Sequence, residues 1–280
     1  MKTKITVLCE NSVRVPLPLI AEHGLSMLIE KEDTTLFDTG QGFGIVNNLK
    51  AMGKDPAQIA RVILSHGHYD HTGGLMPFLQ MRGTAVPVHA HEDAFVERIA
   101  LTPAVGTPTE RTIGMKATRA EYEKAGAVFW PVKGFQKICE SIYALTEVKR
   151  PAGWKGWDAR LKQKINRKLI DDPFDDDCSL LVETDSGPVV LLGCAHAGII
   201  EILSDLAEKS GHREFHAVIG GTHLESAPIE YVDRAIDALK SYGVQKVAAF
   251  HCTGFDVSCR LSMEFKNKFT AACVGSVFEF

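Results

Sequence analysis

The amino-acid sequence predicts a mixed α/β fold of packed layers, and three observations support this prediction. Short β-branched and apolar runs alternate with amphipathic stretches along most of the 280 residues. Several of these runs end directly in a polar or metal-binding side chain. The composition, with 45% hydrophobic and 24% charged residues, is ordinary for a globular protein with a sizeable core. These features exclude a disordered chain, a collagen and a coiled coil.

Strands are predicted where a short β-branched or apolar run is bounded by turn residues. In chain order they cover residues 4–8, 25–30, 35–37, 61–64, 127–132, 141–145, 179–184, 188–192, 215–219 and 245–250. Helices are predicted where apolar residues recur every three or four positions, at residues 44–52, 90–100, 199–209, 229–242 and 260–269. No repeat or linker interrupts this order, so we expect a single domain over residues 1–280.

Charge and cysteine content narrow the class of protein further. With 31 basic and 35 acidic residues the net charge is −4, which gives no reason to expect a nucleic-acid partner. No run approaches the roughly 18 apolar residues that a membrane span needs, so we expect a cytoplasmic protein without a cleaved signal and without a membrane partner. The seven cysteines form no C-x-x-C pair, which favours reduced thiols. The oligomeric state stays open.

Polar side chains follow several predicted strands at the point where each strand ends. Asp38 follows residues 35–37, the cluster that starts at His66 follows residues 61–64, and His251 follows residues 245–250. In layered α/β folds, ligands bind beyond the carboxyl ends of strands, where loops carry reactive groups on a rigid base. We therefore predict that most of these strand ends share one cleft.

The segment 64–75 is the strongest functional signal in the sequence. It places His66, His68, Asp70 and His71 within six positions, and the nearby glycines supply the backbone freedom of a tight loop. Imidazole and carboxylate groups in such a turn are ligands for zinc, iron or manganese. We predict that the first two histidines hold one ion and that Asp70 and His71 hold a second.

These four residues match the pattern H-x-H-x-D-H without a gap, and the chain thereby resembles the metallo-β-lactamase superfamily. The resemblance implies a four-layer αβ/βα sandwich. Asp38 looks like the first motif of that superfamily, and His251 looks like its last histidine. Residues 22–26, 36–41, 193–199, 220–224 and 251–254 are similar to the 7,8-dihydropterin-6-methyl-4-(β-D-ribofuranosyl)aminobenzene 5′-phosphate synthase-like subfamily, which implies a condensing enzyme of methanopterin biosynthesis.

The resemblance also implies a third histidine for the first ion and a bridging Asp or Cys. The strand at 141–145 is followed by Glu147 rather than by that histidine, and the bridging position falls on Cys194. We predict His196 as the missing ligand, because neutral imidazole suits these ions and its glycine-flanked loop can bend. Glu147, Asp177 and Cys194 are reserve ligands.

The second ion would be held by Asp70, His71 and His251. Without an obvious bridging carboxylate, the site could also work with one ion, in which case Asp70 could serve as the proton acceptor. Asp38 is predicted to orient a ligating imidazole, as carboxylates beside metal sites commonly do. The predicted cofactor is one or two divalent ions, with zinc first and iron or manganese as alternatives.

A basic insertion at about 149–176 is the candidate substrate reader. Eight basic residues fall between 149 and 168, an acidic run follows, and the segment after 154–157 is predicted to form a basic helix. The simpler alternative is a solvated charged face. We hypothesise a cover that recruits a small anionic substrate, with Arg150 as the first phosphate candidate. His223 and His91 are weaker substrate-binding candidates, for which a surface or core role is the alternative.

The predicted function is a metal-dependent hydrolase or transferase that acts on a small anionic, phosphorylated metabolite. A bound ion would activate water or orient a diphosphate leaving group. A di-iron oxidoreductase is one alternative, although its relatives in the superfamily generally carry a carboxylate where this chain has His68. A non-catalytic metal-binding sensor is another. A nuclease is disfavoured by the absence of a broad basic surface in the sequence.

Overall fold

The computed structural model describes residues 2–13, 16–102, 108–154 and 156–280. The strands are β1 (Lys4–Cys9), β2 (Ser26–Glu30), β3 (Thr34–Phe37), β4 (Ile59–Ile63), β5 (Val86–Ala90), β6 (Arg98–Thr102), β7 (Thr109–Thr112), β8 (Ala127–Pro131), β9 (Phe135–Lys137), β10 (Ile142–Leu145), β11 (Leu161–Ile165), β12 (Lys168–Asp171), β13 (Ser179–Val182), β14 (Val189–Leu192), β15 (Ala217–Gly221), β16 (Lys246–Phe250) and β17 (Val277–Glu279). The helices are α1 (Ile45–Ala51), α2 (Tyr69–Thr72), α3 (Leu75–Arg82), α4 (Arg119–Lys124), α5 (Ile199–Ser210), α6 (Ile229–Ser241) and α7 (Phe255–Phe265). Short 3₁₀ turns cover Pro56–Gln58, Glu92–Phe95, Leu224–Ser226, His251–Thr253 and Lys266–Lys268.

Two large sheets pack face to face. The first has the strand order β17-β1-β2-β3-β4-β5-β8, and the second has the order β16-β15-β14-β13-β10-β9. Side chains alternate between the two faces of a strand, so adjacent residues enter different cores. In β4, Ile63 joins the core between the sheets and Val62 joins the core under the outer helices. In β13, Leu180 points to the same central core and Leu181 to the opposite face.

Helices cover the outer face of each sheet. Helices α1 and α3 pack on the first sheet through residues such as Leu49 and Phe78, and α5, α6 and α7 pack on the second through residues such as Leu203 and Leu261. The result is helix, sheet, sheet, helix. The predicted four-layer αβ/βα sandwich is therefore confirmed. No helix in the described ranges is long and apolar enough to cross a lipid bilayer.

Most of the predicted elements are present, and three helix predictions need correction. The helix predicted at 90–100 is wrong, because the segment forms the short turn Glu92–Phe95 and then β6, which pairs with β7 and β11. Distant strand pairing overrides the local apolar spacing there. The helix predicted at 260–269 begins earlier, at Phe255, and ends at Phe265. Helix α3 was not predicted, because Pro77 interrupts an otherwise helical segment.

The predicted basic helix of the insertion is also wrong. Residues 161–171 form the hairpin β11–β12, whose turn contains Asn166 and Arg167 in the left-handed conformation (φ 51° and 66°) that two-residue hairpin turns require. Its basic side chains pair with acids across the strands: Lys162 Nζ lies 2.5 Å from Asp171 and Lys164 Nζ lies 2.8 Å from Glu110. Lys155 of the insertion lies outside the described residues.

This hairpin extends a third sheet with the order β12-β11-β6-β7. A buried ion-pair cluster anchors the third sheet beneath the histidine-rich loop. The Arg98 guanidinium donates to Asp172 at 2.8 Å and to Asp176 at 2.6 Å, and all three side chains are fully buried. Asp176 also accepts a hydrogen bond from the Gly67 amide at 2.9 Å, so the insertion is tied to the loop between His66 and His68.

Candidate metal centre

The histidine-rich loop leaves the end of β4 and enters the single turn of α2. Gly67 makes its path possible, because a Cβ at this position would lie 2.1 Å from the carbonyl oxygen of Ala94. The Ser65 amide donates to Asp38 Oδ1 at 2.7 Å, which fixes the start of the loop against the end of β3. The loop is therefore held on both sides by backbone contacts, and its side chains point into one cavity.

A first group of candidate ligands consists of His66, His68 and His196, each of which offers a ring nitrogen within 4.8 Å of the others. His66 Nε2 lies 3.0 Å from His68 Nδ1. The Phe174 ring stacks on His196 with centroids 4.4 Å apart and an angle of 5° between the planes. Burial is the largest cause that lowers the pKa of each histidine well below its usual range, so all three are neutral. Neutral imidazole is the form that binds metals.

A second group consists of Asp70, His71 and His251. Nε2 of His251 lies 3.2 Å from Nε2 of His71 and 3.4 Å from Asp70 Oδ2, and Asp70 Oδ2 lies 3.8 Å from His71 Nε2. Cys194 Sγ approaches His71 Nε2 to 3.1 Å. With metal–ligand bonds of about 2.0–2.3 Å, the edges of a tetrahedron are about 3.3–3.8 Å. The three distances among Asp70, His71 and His251 are close to this spacing, and Cys194 approaches the group through His71.

Cys194 links the two groups. Its Sγ also forms a donor set with ring nitrogens of His66 and His71, one from each group. Sequence reasoning treated Cys194 as a reserve at the bridging position, and the structure places it between the two groups. The sulfur is therefore where a ligand shared by two ions would lie.

Polar residues hold the ligands of the second group from behind. Asp38 Oδ2 lies 2.7 Å from His71 Nδ1 and also accepts from Ser65 Oγ at 2.6 Å. His251 Nδ1 lies 3.1 Å from Asn11 Oδ1. These contacts leave the Nε2 atoms of both rings facing the group. Burial lowers the pKa of His71, but the carboxylates of Asp38 and Asp70 outweigh this effect and raise it to about 9.

The donor atoms fit a divalent cation. Nε2 of His68 and Nε2 of His196 are buried without a hydrogen-bond partner among the described residues. Buried polar atoms are rarely left unsatisfied in native proteins, because desolvation without a compensating bond costs about 1–3 kcal/mol for each atom. Imidazole, carboxylate and thiol donors together are the set that zinc prefers.

Two of the reserve ligands lie outside these groups. Asp177 Oδ2 accepts from the Ala197 amide at 2.9 Å and so supports the loop that carries His196, and burial raises the pKa of this carboxyl to about 7. Glu147 lies near the surface, 3.6 Å from His91 Nε2 and 3.5 Å from Lys133 Nζ. Among the described residues, neither belongs to a donor set of three or more.

Five of the candidate ligands line a cavity of about 340 Å³, namely His68, Asp70, Cys194, His196 and His251. The predicted substrate residue His223 also faces it. Arg111 of the third sheet and Arg160, directly before β11, also line the cavity. Arg160 is paired with Asp158 at 2.6 Å, whereas Arg111 donates only a long hydrogen bond, of 3.4 Å, to the hydroxyl of Tyr69. Two cations therefore border the candidate metal centre.

The other predicted substrate residues lie away from this cavity. The Arg150 guanidinium contacts Asp175 and the carbonyl of Pro173, and it packs over the Trp154 ring, so its charge is already engaged. His91 accepts a hydrogen bond from the Asp93 amide at 3.2 Å and caps a 3₁₀ turn. Within the described ranges, neither Arg150 nor His91 lines the cavity.

Sequence reasoning missed His23 as a site residue. Its Nε2 lies 3.3 Å from Asp70 Oδ2, its ring packs 5.2 Å from that of His251, and its side chain is 56% exposed. The hydrogen bond with Asp70 is the largest cause that raises the pKa of His23. Gly24 allows this approach, because a Cβ there would lie 2.5 Å from the carbonyl oxygen of Asp70. Residues 22–26 resemble the synthase-like subfamily, but they lie far along the chain from the motif at residues 66–71, so the sequence does not predict this contact.

Comparison with known proteins agrees with this fold. The family model of the metallo-β-lactamase superfamily matches residues 20–230, and the chain belongs to that superfamily. The 7,8-dihydropterin-6-methyl-4-(β-D-ribofuranosyl)-aminobenzene-5′-phosphate synthase of Methanocaldococcus jannaschii is 31% identical over 99% of this chain and 96% of its own length. The crystal structure of Tm1679, a metal-dependent hydrolase of the β-lactamase superfamily, has a TM-score of 0.85 at 28% identity and covers 99% of both chains. A diphosphatase of the PhnP family shares the fold, with a TM-score of 0.53 at 12% identity over 100% of this chain and 98% of its own.

Proposed function

We propose that this chain is a metal-dependent transferase that joins a small phosphorylated amine to a carbon atom bearing an oxygen leaving group. The observation that carries the proposal is the meeting of two groups of candidate ligands at one cavity that Arg111 and Arg160 also line. The similarity to a dihydropterin-aminobenzene-phosphate synthase over nearly the whole chain supports the substrate class.

The proposed cofactor is one or two divalent ions, with zinc as the first candidate and iron or manganese as alternatives. His66, His68 and His196 would hold one ion, and Asp70, His71, His251 and Cys194 would hold the other. Such ions polarise phosphoryl oxygens and lower the pKa of bound water from about 16 toward about 7, which serves either a transferase or a hydrolase.

The residues of the chain would position the substrate and move its proton. Arg111 has no carboxylate within 4.0 Å in the described part of the chain, so its guanidinium is available to an anionic group. His23 reaches from the exposed mouth of the cavity to Asp70. This pair is placed to accept a proton released by the attacking group and to pass it to solvent.

In the proposed reaction, the amine nitrogen of a ribosylaminobenzene phosphate attacks the 6-methyl carbon of a dihydropterin. The new C–N bond forms as the C–O bond to a diphosphate group breaks, and the leaving group takes the bonding electron pair. With an ion in the first group only, the amine proton goes to the Asp70–His23 pair; with Asp70 bound to a second ion, it goes to His23. Arg111 attracts the negative charge of the phosphates, since it lines the cavity and has no carboxylate partner in the described part of the chain, whereas Arg160 is paired with Asp158.

The direct test supplies the dihydropterin 6-methyl diphosphate with and without 4-(β-D-ribofuranosyl)aminobenzene 5′-phosphate. We expect diphosphate release that depends on the amine, together with a coupled product of the correct mass. Release with equal rate in the absence of the amine, and formation of the hydroxymethyl compound, would instead identify a hydrolase. That is the second candidate, because the solved structure with a TM-score of 0.85 is described as a hydrolase.

Metal analysis and a visible spectrum of the purified protein separate the remaining alternatives. Stoichiometric iron with an oxygen-sensitive absorption band would favour the di-iron oxidoreductase. Bound metal without turnover of any phosphorylated compound would favour the sensor. Four further points stay predictions: the single-domain organisation, the covering role of the insertion, the cytoplasmic location and the lack of a nucleic-acid or membrane partner.

A further inference from the structure

A third group of donor atoms lies beside the two already described. It consists of Cys194, His223 and Cys252, whose candidate ligand atoms all lie within 4.8 Å of one another. Cys194 belongs to this group and also stands next to His71 of the second group. The third group therefore adjoins the candidate metal centre, but two of its three members play no part in the proposed reaction.

His223 carries the clearest sign of a missing partner. Both ring nitrogens are buried, and neither forms a hydrogen bond of normal geometry with the residues that the structure describes, although the Cys252 thiol lies close enough to interact with the ring. The backbone holds the ring in this place, because His223 adopts the left-handed conformation (φ 49°) two residues after the end of β15. Its ring packs against His196 with centroids 4.3 Å apart. An imidazole so placed, with two unsatisfied nitrogens, is suited to bind a cation.

Cys252 is held so that its sulfur faces the same point. The His223 amide donates to Cys252 Sγ at 3.3 Å, and Cys252 Sγ lies 3.6 Å from the carbonyl oxygen of Cys194. Gly221 leaves the room for this sulfur, since a Cβ at that position would lie only 2.7 Å from it. His251 and Cys252 are neighbours in one 3₁₀ turn, so the chain sends one side chain to the second group and the next to the third.

We propose that Cys194, His223 and Cys252 bind a further thiophilic divalent cation of the zinc type. Two sulfurs and one imidazole are the ligands of Cys₂His zinc sites, in which the fourth position is open to water or substrate. All three residues line the cavity, so that open position faces the space proposed for the substrate. Cys194 would be shared with the second group. The proposal goes beyond the proposed function, which needs only the first two groups.

Cobalt titration of the metal-free full-length protein tests this proposal, with bound metal counted after gel filtration. Cys252→Ser removes a sulfur but keeps an acceptor for the His223 amide, and His223→Asn removes the ring but tolerates the left-handed backbone. We expect each variant to bind about one equivalent of Co²⁺ less than the wild type. The thiolate-to-cobalt charge-transfer band of Cys252→Ser should fall to about half, because one of two thiolate ligands is lost.

Cys259→Ser is the matched control, because Cys259 is an exposed thiol on α7 outside all three groups. It should leave both stoichiometry and spectrum as in the wild type, and circular dichroism should show that all variants fold. Equal cobalt content and an unchanged band in Cys252→Ser and His223→Asn would overturn the proposal. So would a disulfide between Cys194 and Cys252 in protein purified without oxygen. The unchanged cobalt content would leave the proposed function intact, because its direct test is turnover of the dihydropterin diphosphate. The disulfide would also remove Cys194 from the second group.

Discussion

The first two groups of candidate ligands lie side by side but are built on different principles. His66, His68 and His196 form a buried group of three neutral imidazoles, held largely by ring packing. The second group contains a carboxylate, Asp70, and its histidines are hydrogen-bonded from behind by Asp38 and Asn11. A cation gains favourable charge interactions in the second group, whereas in the first it gains mainly unshared imidazole nitrogens.

The difference predicts how each group responds to change. In the first group only His66 has a polar partner behind its ring, Ser65 Oγ at 2.9 Å from Nδ1, among the contacts of the described residues. The shape of the loop and the packing around it should therefore decide whether the nitrogens of His68 and His196 converge with that of His66. In the second group, the hydrogen bonds that orient the histidine rings should decide whether the ligand atoms converge. A loss of metal after a substitution can therefore be assigned to one group or the other.

The largest effect is expected when the first group is removed. The double change His66→Ala and His68→Ala takes away two of its three ligands, and we expect the protein to lose about one equivalent of metal and at least about 10³-fold in kcat/KM. Metal content and turnover of the phosphorylated substrates measure this result. Activity and metal content like those of the wild type would show that the first group is not the catalytic centre.

Arg98 should be almost as important, although it lies beneath the loop. Removing its side chain leaves the buried carboxylates of Asp172 and Asp176 unpaired, which costs about 3–5 kcal/mol of unfolding free energy. We expect Arg98→Met to show this loss in urea denaturation. Because Asp176 holds the Gly67 amide between His66 and His68, metal should be lost from the first group before the second. Loss from both groups together would mean that they are not independently supported.

Asp38 provides the corresponding test of the second group. Asp38→Asn keeps the size of the side chain but weakens its hold on His71 Nδ1, and changes of this kind typically cost about 10- to 100-fold in metal affinity or activity. Chelator competition should therefore show a weakened second equivalent while the first is retained. Asn11→Ala, which releases His251 in the same way, is the matched comparison and should weaken the same equivalent. If either change weakens the first equivalent instead, the division into two groups is wrong.

The sequence predicted those parts of the site that depend on local spacing. The motif from His66 to His71 is read from adjacent residues, and the strand ends at Asp38 and His251 follow from short β-branched runs. The hairpin β11–β12 was not predicted, because its partner strand β6 lies about 60 residues earlier in the chain and because its many lysines suggested a helix. His23 and Arg111 were not predicted as site residues for a related reason, since only the packing of distant segments brings them to the cavity.

The same packing decides which arginine contacts the substrate, and substitution of that arginine is expected to have the smallest effect on activity. Arg111 lines the cavity beside Tyr69, whereas the Arg150 guanidinium is engaged by Asp175 and the carbonyl of Pro173. We expect Arg111→Ala to raise KM for a phosphorylated substrate about tenfold with little change in kcat, since it removes a charge-assisted contact remote from the reacting atoms. Arg150→Ala should leave KM unchanged and lower the stability of the insertion to proteolysis. A rise in KM for Arg150→Ala alone would show that the anion binds at the insertion instead. A fall in kcat without a change in KM for Arg111→Ala would place the Arg111 guanidinium at the reacting phosphate, next to the second group.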